Sequence, residues 1–517
     1  LRADAGDEAF NDITFVDSAD VKLDGNVDAA GDLFIDAGTD GAVGGVLSVT
    51  ATTGDITQGV ALTVGGASTF VTRADGSNII LDNAGNAFTG GVTLQADAGD
   101  ETFGNVTFVD SADVKLDGDA VAAGDLFINA GTDGAVGGAL SVTATTGNIT
   151  QGIALTVGGT SSFSTLANDA TITLDTATNA LTGAVTLLTN DAAGTDADVV
   201  LDNGTTALIL AASTVDGDLT VTSGAAGGIT DTGTVTVGGN LAATTDAGNG
   251  VVTLDTLAVD GTIAVNTNGT GNATLVNDAG LDFAASTVGG VLSATATTGD
   301  IVDTGALTVT GASTFITGDT GSDIILDNVA NAFTGAVTLR ADAGDEAFNN
   351  ITFVDSGAVK LDANADAAGD LFINAGTDGA VGGALSVTAG GDITDGVTLA
   401  VTGAATLVTK KDGGAVIRLD DAGSTFGAIT ARTLNAAGDT VVAGGIEITE
   451  NADMDITLLE TGAAAVQLTT AGDLGVAVAD KVIGTAGLVI RPLGTAGTIG
   501  LGAGAAGTLA LSVADVA

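Results

Sequence analysis

Three carboxylates crowd the hexapeptide ADAGDE, which occurs three times: Asp4, Asp7 and Glu8; Asp97, Asp100 and Glu101; Asp342, Asp345 and Glu346. Oxygen donors on a Gly-containing turn suit a hard cation such as Ca²⁺, which gathers carboxylates and backbone carbonyls together. The hexapeptide lacks the ligand spacing of an EF-hand loop and the nonapeptide of calcium-stacking rolls. A solvated acidic turn is therefore the plainer alternative beside the Ca²⁺ reading, and no other cofactor is expected.

Composition removes most other chemistry. The 517 residues include no Cys and no His, so disulfides, thiolate or imidazole metal sites and Ser-His-Asp or Cys-His nucleophiles are excluded. With 64 acidic residues against 12 basic and a formal net charge of −52, the chain has no basic stripe for nucleic acid or anionic lipid. The pair Lys410 and Lys411 stands beside Asp412 and reads as a turn. No apolar run reaches the roughly 18 residues of a membrane helix, so membrane insertion is not expected.

The elements that must position these residues are set by repetition. Leu1 to Phe70 recurs without a gap as Leu94 to Phe163, with 56 of 70 positions identical, an offset of 93 residues. A third copy begins at Leu339, and Val288 to Thr338 matches Val43 to Thr93 at the same 245-residue offset. The wording is looser from 188 to 287 and again after 427. The expected organisation is two near-identical 93-residue repeats over 1–187, divergent coils over 188–287, a third partial copy over 288–427 and a divergent continuation over 428–517.

Inside each copy short pentads such as LSVTA alternate apolar and polar residues, and Gly or Asp turns separate them. No window sustains a helical stripe. The lead pentads return every 22 to 26 residues, so the expected fold is all-β, a parallel β-solenoid with three short strands and about 23 residues per coil. Leu47, Val49, Val71, Val92, Leu94, Leu140 and Val142 are expected inside, and Ser48, Thr50, Ser141 and Thr143 outside. Asn86, Asn179 and Asn331, in the turns DNAGNAFTG, DTATNALTG and DNVANAFTG, are placed to hydrogen-bond buried backbone, with Phe88 and Phe333 plugging a corner. Enzymes that cut acidic polysaccharides do occur on β-helices. This chain has no Trp or Tyr for sugar stacking and no basic cluster on the repeat face, so no catalytic residue is nominated and no enzyme activity is expected. The TxT spacing of Thr50 and Thr52 does not form the unbroken file that an ice-binding face requires.

The strings GGVLSVTATTGDITQGVALTVGGASTFVT, NIILDNAGNAFTGGVTLQA and TVGGNLAATTDAGNGVVTLDT resemble the repeat regions of filamentous-haemagglutinin-like bacterial exoproteins, large adhesins often exported by two-partner secretion. The resemblance covers residues 1 to about 430 and implies a right-handed parallel β-helix shaft, extracellular or on the cell surface, serving adhesion, aggregation or biofilm. A structural subunit of an extracellular filament or coat is the alternative. The family's amino-terminal secretion domain and NPNL-type motif do not occur in this sequence. Leu1 aligns with the interior positions Leu94 and Leu339, so further coils or copies of the same polypeptide, stacked end to end, are the expected partners, with a host or neighbouring-cell surface beside them.

Overall fold

Alternating pentads cannot bury one face as isolated strands, and stacking coil upon coil is the arrangement that buries all of them. The computed structural model describes residues 1, 11–36, 39–96, 103–190, 197–341, 348–476, 482–484, 486–494, 499–501 and 509–511. Among them there is no helix, and the strand pairings are parallel apart from short antiparallel bridges in turns. The protein is a parallel β-solenoid. It divides into two compact units, Leu1–Gly261 with Asn266–Gly269, and Thr262–Val265 with Thr270–Ala517.

In the first unit a coil consists of a five-residue strand (Leu47–Ala51), a shorter one (Ile56–Gln58) and a two-residue third (Thr63–Val64). The long strands Ile13–Asp17, Leu47–Ala51, Ser68–Thr72 and Val92–Ala96 stack in register in one sheet. Their first residues, Ile13, Leu47, Ser68 and Val92, follow one long interval and then two shorter ones, where the pentads predict a nearly uniform beat. The long coil holds an excursion. In the second copy Val114–Leu116 is followed by a loop and by Asp125–Asn129, which pairs beside it.

After Val92–Ala96 the stack changes sides. Val106 begins the next long strand, but it pairs with Ile79 on the second sheet. There Val106–Asp110, Leu140–Ala144, Ser161–Thr165 and Val185–Leu188 repeat the same sequence of one long and two shorter intervals. A further short step returns Val199–Asp202 to the first sheet, on Ile172, followed by Leu219–Ser223 and Leu241–Thr245. The 93-residue repeat is thus three coils and a half-step, and equivalent strands of successive repeats lie on opposite sheets.

The second unit obeys the same rule. Ala273–Asn277, Leu292–Ala296, Ser313–Thr317 and Val337–Ala341 stack in one sheet. Ile351–Asp355 then joins the other sheet on Ile324–Leu326, followed by Leu385–Ala389, Ala405–Lys410 and Ile429–Leu434. Ile446–Glu450 crosses back onto Ile417, and Val466–Thr470 and Leu488–Pro492 stack on it. The stretch whose wording diverges therefore keeps the architecture of the copies before it.

Small aliphatic side chains and phenylalanines, packed edge-on or stacked, fill the interior. Leu47, Val49, Val92, Leu94, Leu140 and Val142 are buried as expected. Phe88 and Phe333 do plug corners, their rings 5.5 Å from Phe108 and 5.3 Å from Phe353. One expected orientation is reversed. Val71 lies on the outer side of Ser68–Thr72, while Ser68, Phe70 and Thr72 are buried. The stack decides the parity, because Leu47 faces Ser68 and Val49 faces Phe70, and burying the larger apolar ring outweighs burying valine. Thr50 keeps its outward parity but is only 7% exposed.

Candidate functional site

The nine carboxylates of the ADAGDE turns, Asp4, Asp7, Glu8, Asp97, Asp100, Glu101, Asp342, Asp345 and Glu346, lie outside the described residues. Among the described residues no group of three or more carboxylates is arranged to hold a metal ion. Many of the remaining aspartates have a different employment, and it begins with their place in the chain.

Asp or Asn stands immediately before many strands, where its side chain reaches the coil stacked above. The Asp55 amide donates to Asp20 Oδ1 at 2.9 Å, the Asn78 amide to Asp55 Oδ1 at 2.7 Å, the Asn105 amide to Asn78 Oδ1 at 2.7 Å and the Ala139 amide to Asn105 Oδ1 at 2.9 Å. In the second unit Asp323, Asn350 and Ala384 donate in the same way to Asp300, Asp323 and Asn350. Such columns satisfy an amide that the strand ladder leaves open at each corner. Mixing Asn with Asp spares the column a continuous file of like charges. This ladder was not anticipated, although its signal, an Asx residue one position before the strand, recurs throughout the sequence.

A second, buried network occupies the opposite turn. The amides of Leu62, Leu155 and Leu307 donate to the side-chain oxygens of Asn86, Asn179 and Asn331 at 2.9, 2.8 and 2.9 Å, as the turn motif leads one to expect. Gln58, Gln151 and Asp303 complete it, and Asp303 accepts from Asn331 Nδ2 at 2.6 Å. Next to it, Asp110, Asn203, Asp355 and Glu450 accept the amides of Phe88, Leu181, Phe333 and Phe426 at 3.0, 2.8, 2.9 and 2.9 Å. Burial pushes Asp110 and Asp355 above the ordinary aspartate range, against the pull of those amides. Burial carries Asp303 and Asp395 up to about 6 and Glu450 up to about 7. Glu450 is fully buried, and its Oε2 has no hydrogen-bond partner.

In the second unit one of these carboxylates, Asp355, lies in the wall of two clefts. Clefts of about 390 and 350 Å³ flank Asp355 and Ser356, and both include these two residues in their walls. Lys410 lines the larger one. It is the last residue of the strand Ala405–Lys410 and not part of the turn, which begins after it; this corrects the reading of Lys410 and Lys411 as one turn. Three other lysines are tied to the repeat itself: Lys22, Lys115 and Lys360 pair with Asp24, Asp117 and Asp362 on the surface.

What these features define is a repeat protein: a solenoid whose polar groups recur with the coil and serve mainly to close its own backbone. The chain belongs to the family described as repeats of unknown function (DUF5649), which matches residues 10–95, 103–188, 196–269, 270–340 and 349–431. The five matched segments coincide with the structural blocks, each ending where the long strands change sheets. No curated protein and no solved structure matches the chain.

Proposed function

We propose that this chain is a structural shaft of a secreted or surface-bound bacterial exoprotein, non-catalytic, serving adhesion, aggregation or biofilm. The observation that carries this reading is the tandem stack of similar three-coil blocks, two of them near-identical in sequence. Such a stack gains length with each repeat and presents equivalent surfaces on alternating sheets, which suits a spacer or a multivalent surface better than one special active site. The similarity of the phrasing to haemagglutinin-like repeats supports export and adhesion. The charge of −52 supports an extracellular setting, where salt screens self-repulsion beyond about 8 Å while the acidic surface keeps rods from sticking side to side. End-to-end association with further coils follows from the same stacking. Immunogold electron microscopy of the producing cells tests it, combined with aggregation and surface-attachment assays of a deletion strain. Label confined to the cell interior, with attachment unchanged, would refute the reading. Continuous fibres of uniform width would favour a filament subunit instead.

A further inference from the structure

We propose that the cleft beside Asp355 binds a carboxylate-bearing sugar unit of an acidic oligosaccharide, with Lys410 taking the carboxylate. Such a site would serve a shaft or any other role of the chain alike.

Three observations converge. The first is charge. Four of the chain's 12 basic residues, Lys410, Lys411, Arg418 and Arg432, fall within one short stretch of a chain that is otherwise strongly acidic. Arg432 is held by Glu460 at 2.6 Å and Arg418 lies 3.9 Å from Asp420, whereas Lys410 is half-buried at the cleft wall with no carboxylate of the described residues within ion-pair distance. An ammonium left without a counter-ion beside a concave surface is complementary to an anion.

The second is polar placement. Ser356 and Thr388 bring hydroxyls to the wall, and Asp355, only 4% exposed, is fixed by the Phe333 amide. Hydroxyls together with a fixed acceptor fit the alternating donors and acceptors of a sugar ring. Val329, 76% exposed, and Val354, Ala389, Ala436 and Ala437 offer small apolar surface to its C–H face without the bulk of an aromatic ring.

The third is size and distribution. A cleft of about 390 Å³ holds one pyranose ring, and the second cleft across Asp355 leaves room for the next unit of a chain. The repeats do not all carry this chemistry. In the phrases SSFSTL and STFITG the position of Lys410 is taken by Leu166 and Gly318, whereas in STFVTR it is taken by Arg73, so the cation belongs to some copies and not to others.

Calorimetric or NMR titration of the intact chain with glucuronate, glucose and acetate tests the proposal, using Lys410→Gln, Thr388→Val and, as a control, Lys411→Gln. Glucuronate should bind at millimolar concentration, and glucose and acetate about tenfold more weakly or worse. Lys410→Gln should weaken glucuronate about tenfold and Thr388→Val measurably, with thermal melts unchanged, while Lys411→Gln leaves binding intact. Equal affinity for glucose would overturn the role of the carboxylate, and equal affinity for acetate would reduce the site to a plain anion site. No saturable binding of glucuronate would overturn the proposal outright. So would concentration-dependent self-association abolished by Lys410→Gln, which would give the cleft to a carboxylate of a second copy.

Discussion

At the scale of the residue, the interior is narrow and its polar members are few and committed. Val142 is fully buried in the strand Leu140–Ala144, between Phe108 and Phe163 on the neighbouring coils. Val142→Asp should place an unpaired charge there and destabilise the surrounding coils by several kcal/mol, read as local loss of amide protection. Asn179 accepts the Leu155 amide and donates to the carbonyls of Leu174 and Asp202 at 3.2 and 2.9 Å. Asn179→Ala should cost about 1–3 kcal/mol, because the Leu155 amide is left buried without a partner. The carboxylates give the pH dependence its sign. Glu450, Asp303 and Asp395 have folded values near 7, 6 and 6, above those of the unfolded chain, so the folded state binds more protons across the interval from about 4 to 7. Their contribution favours folding below that interval and is lost as pH rises through it. The melting temperature of the second unit should therefore fall between pH 5 and pH 8, a fall that Glu450→Gln makes shallower.

At the scale of the element, each strand's place is set by what lies above and below it. The Asx ladder is the clearest device, since each side chain before a strand closes the corner of the next coil. Asn78→Ala removes the acceptor for the Asn105 amide and the donor that reaches Asp55 Oδ2 at 3.0 Å. Because that corner is partly exposed, the expected loss is about 1 kcal/mol, measured by denaturant unfolding, with faster exchange confined to the Asn105 amide and its neighbours. Glycine matters where the long coil turns. Gly134 has φ of +73°, and a Cβ there would lie 2.2 Å from the Ala154 carbonyl oxygen. Gly41 and Gly379 hold the same conformation in the same AGTDG turn of the other copies.

At the scale of the whole molecule, the half-step is the rule that organises the chain. Each of the five matched blocks of long strands is followed by a transfer to the opposite sheet, so a repeat can be removed only together with its half-step. Deleting residues 103–195 leaves the step from Val92 to the following strand as long as before, with Val199 taking the place of Val106. The shortened chain should fold with an unchanged β-type circular dichroism spectrum, whereas a deletion that removes the step alone should not. Coils touch only their neighbours, so unfolding should proceed in stages, with protection lost unevenly along the chain. Chelation should move the melting midpoint little. A collapse of the fold in chelator would turn the ADAGDE carboxylates into structural ligands.

The parallel β-solenoid, its strands and most of its inward residues were legible in the sequence, because alternation and turn residues are local properties that a stack only has to accept. Asn86, Asn179 and Asn331 could be read for the same reason: a polar residue fixed within a repeating turn must answer a backbone group of that turn. What the tertiary structure alone decided depends on which coil lies next to which. The exchange of sheets from one repeat to the next follows from a half-step, between Val92 and Val106, that looks in sequence like one more spacer. Val71 turned outward because Phe70 stacks on Val49 of the neighbouring coil, a contact that no alternation within STFVT reveals. Lys410 became a cleft residue because Asp355, Thr388 and Ala436, from three other coils, converge around it. Periodicity is written along the chain, but register and convergence are set across it, by the packing of side chains that are distant in sequence and adjacent in the stack.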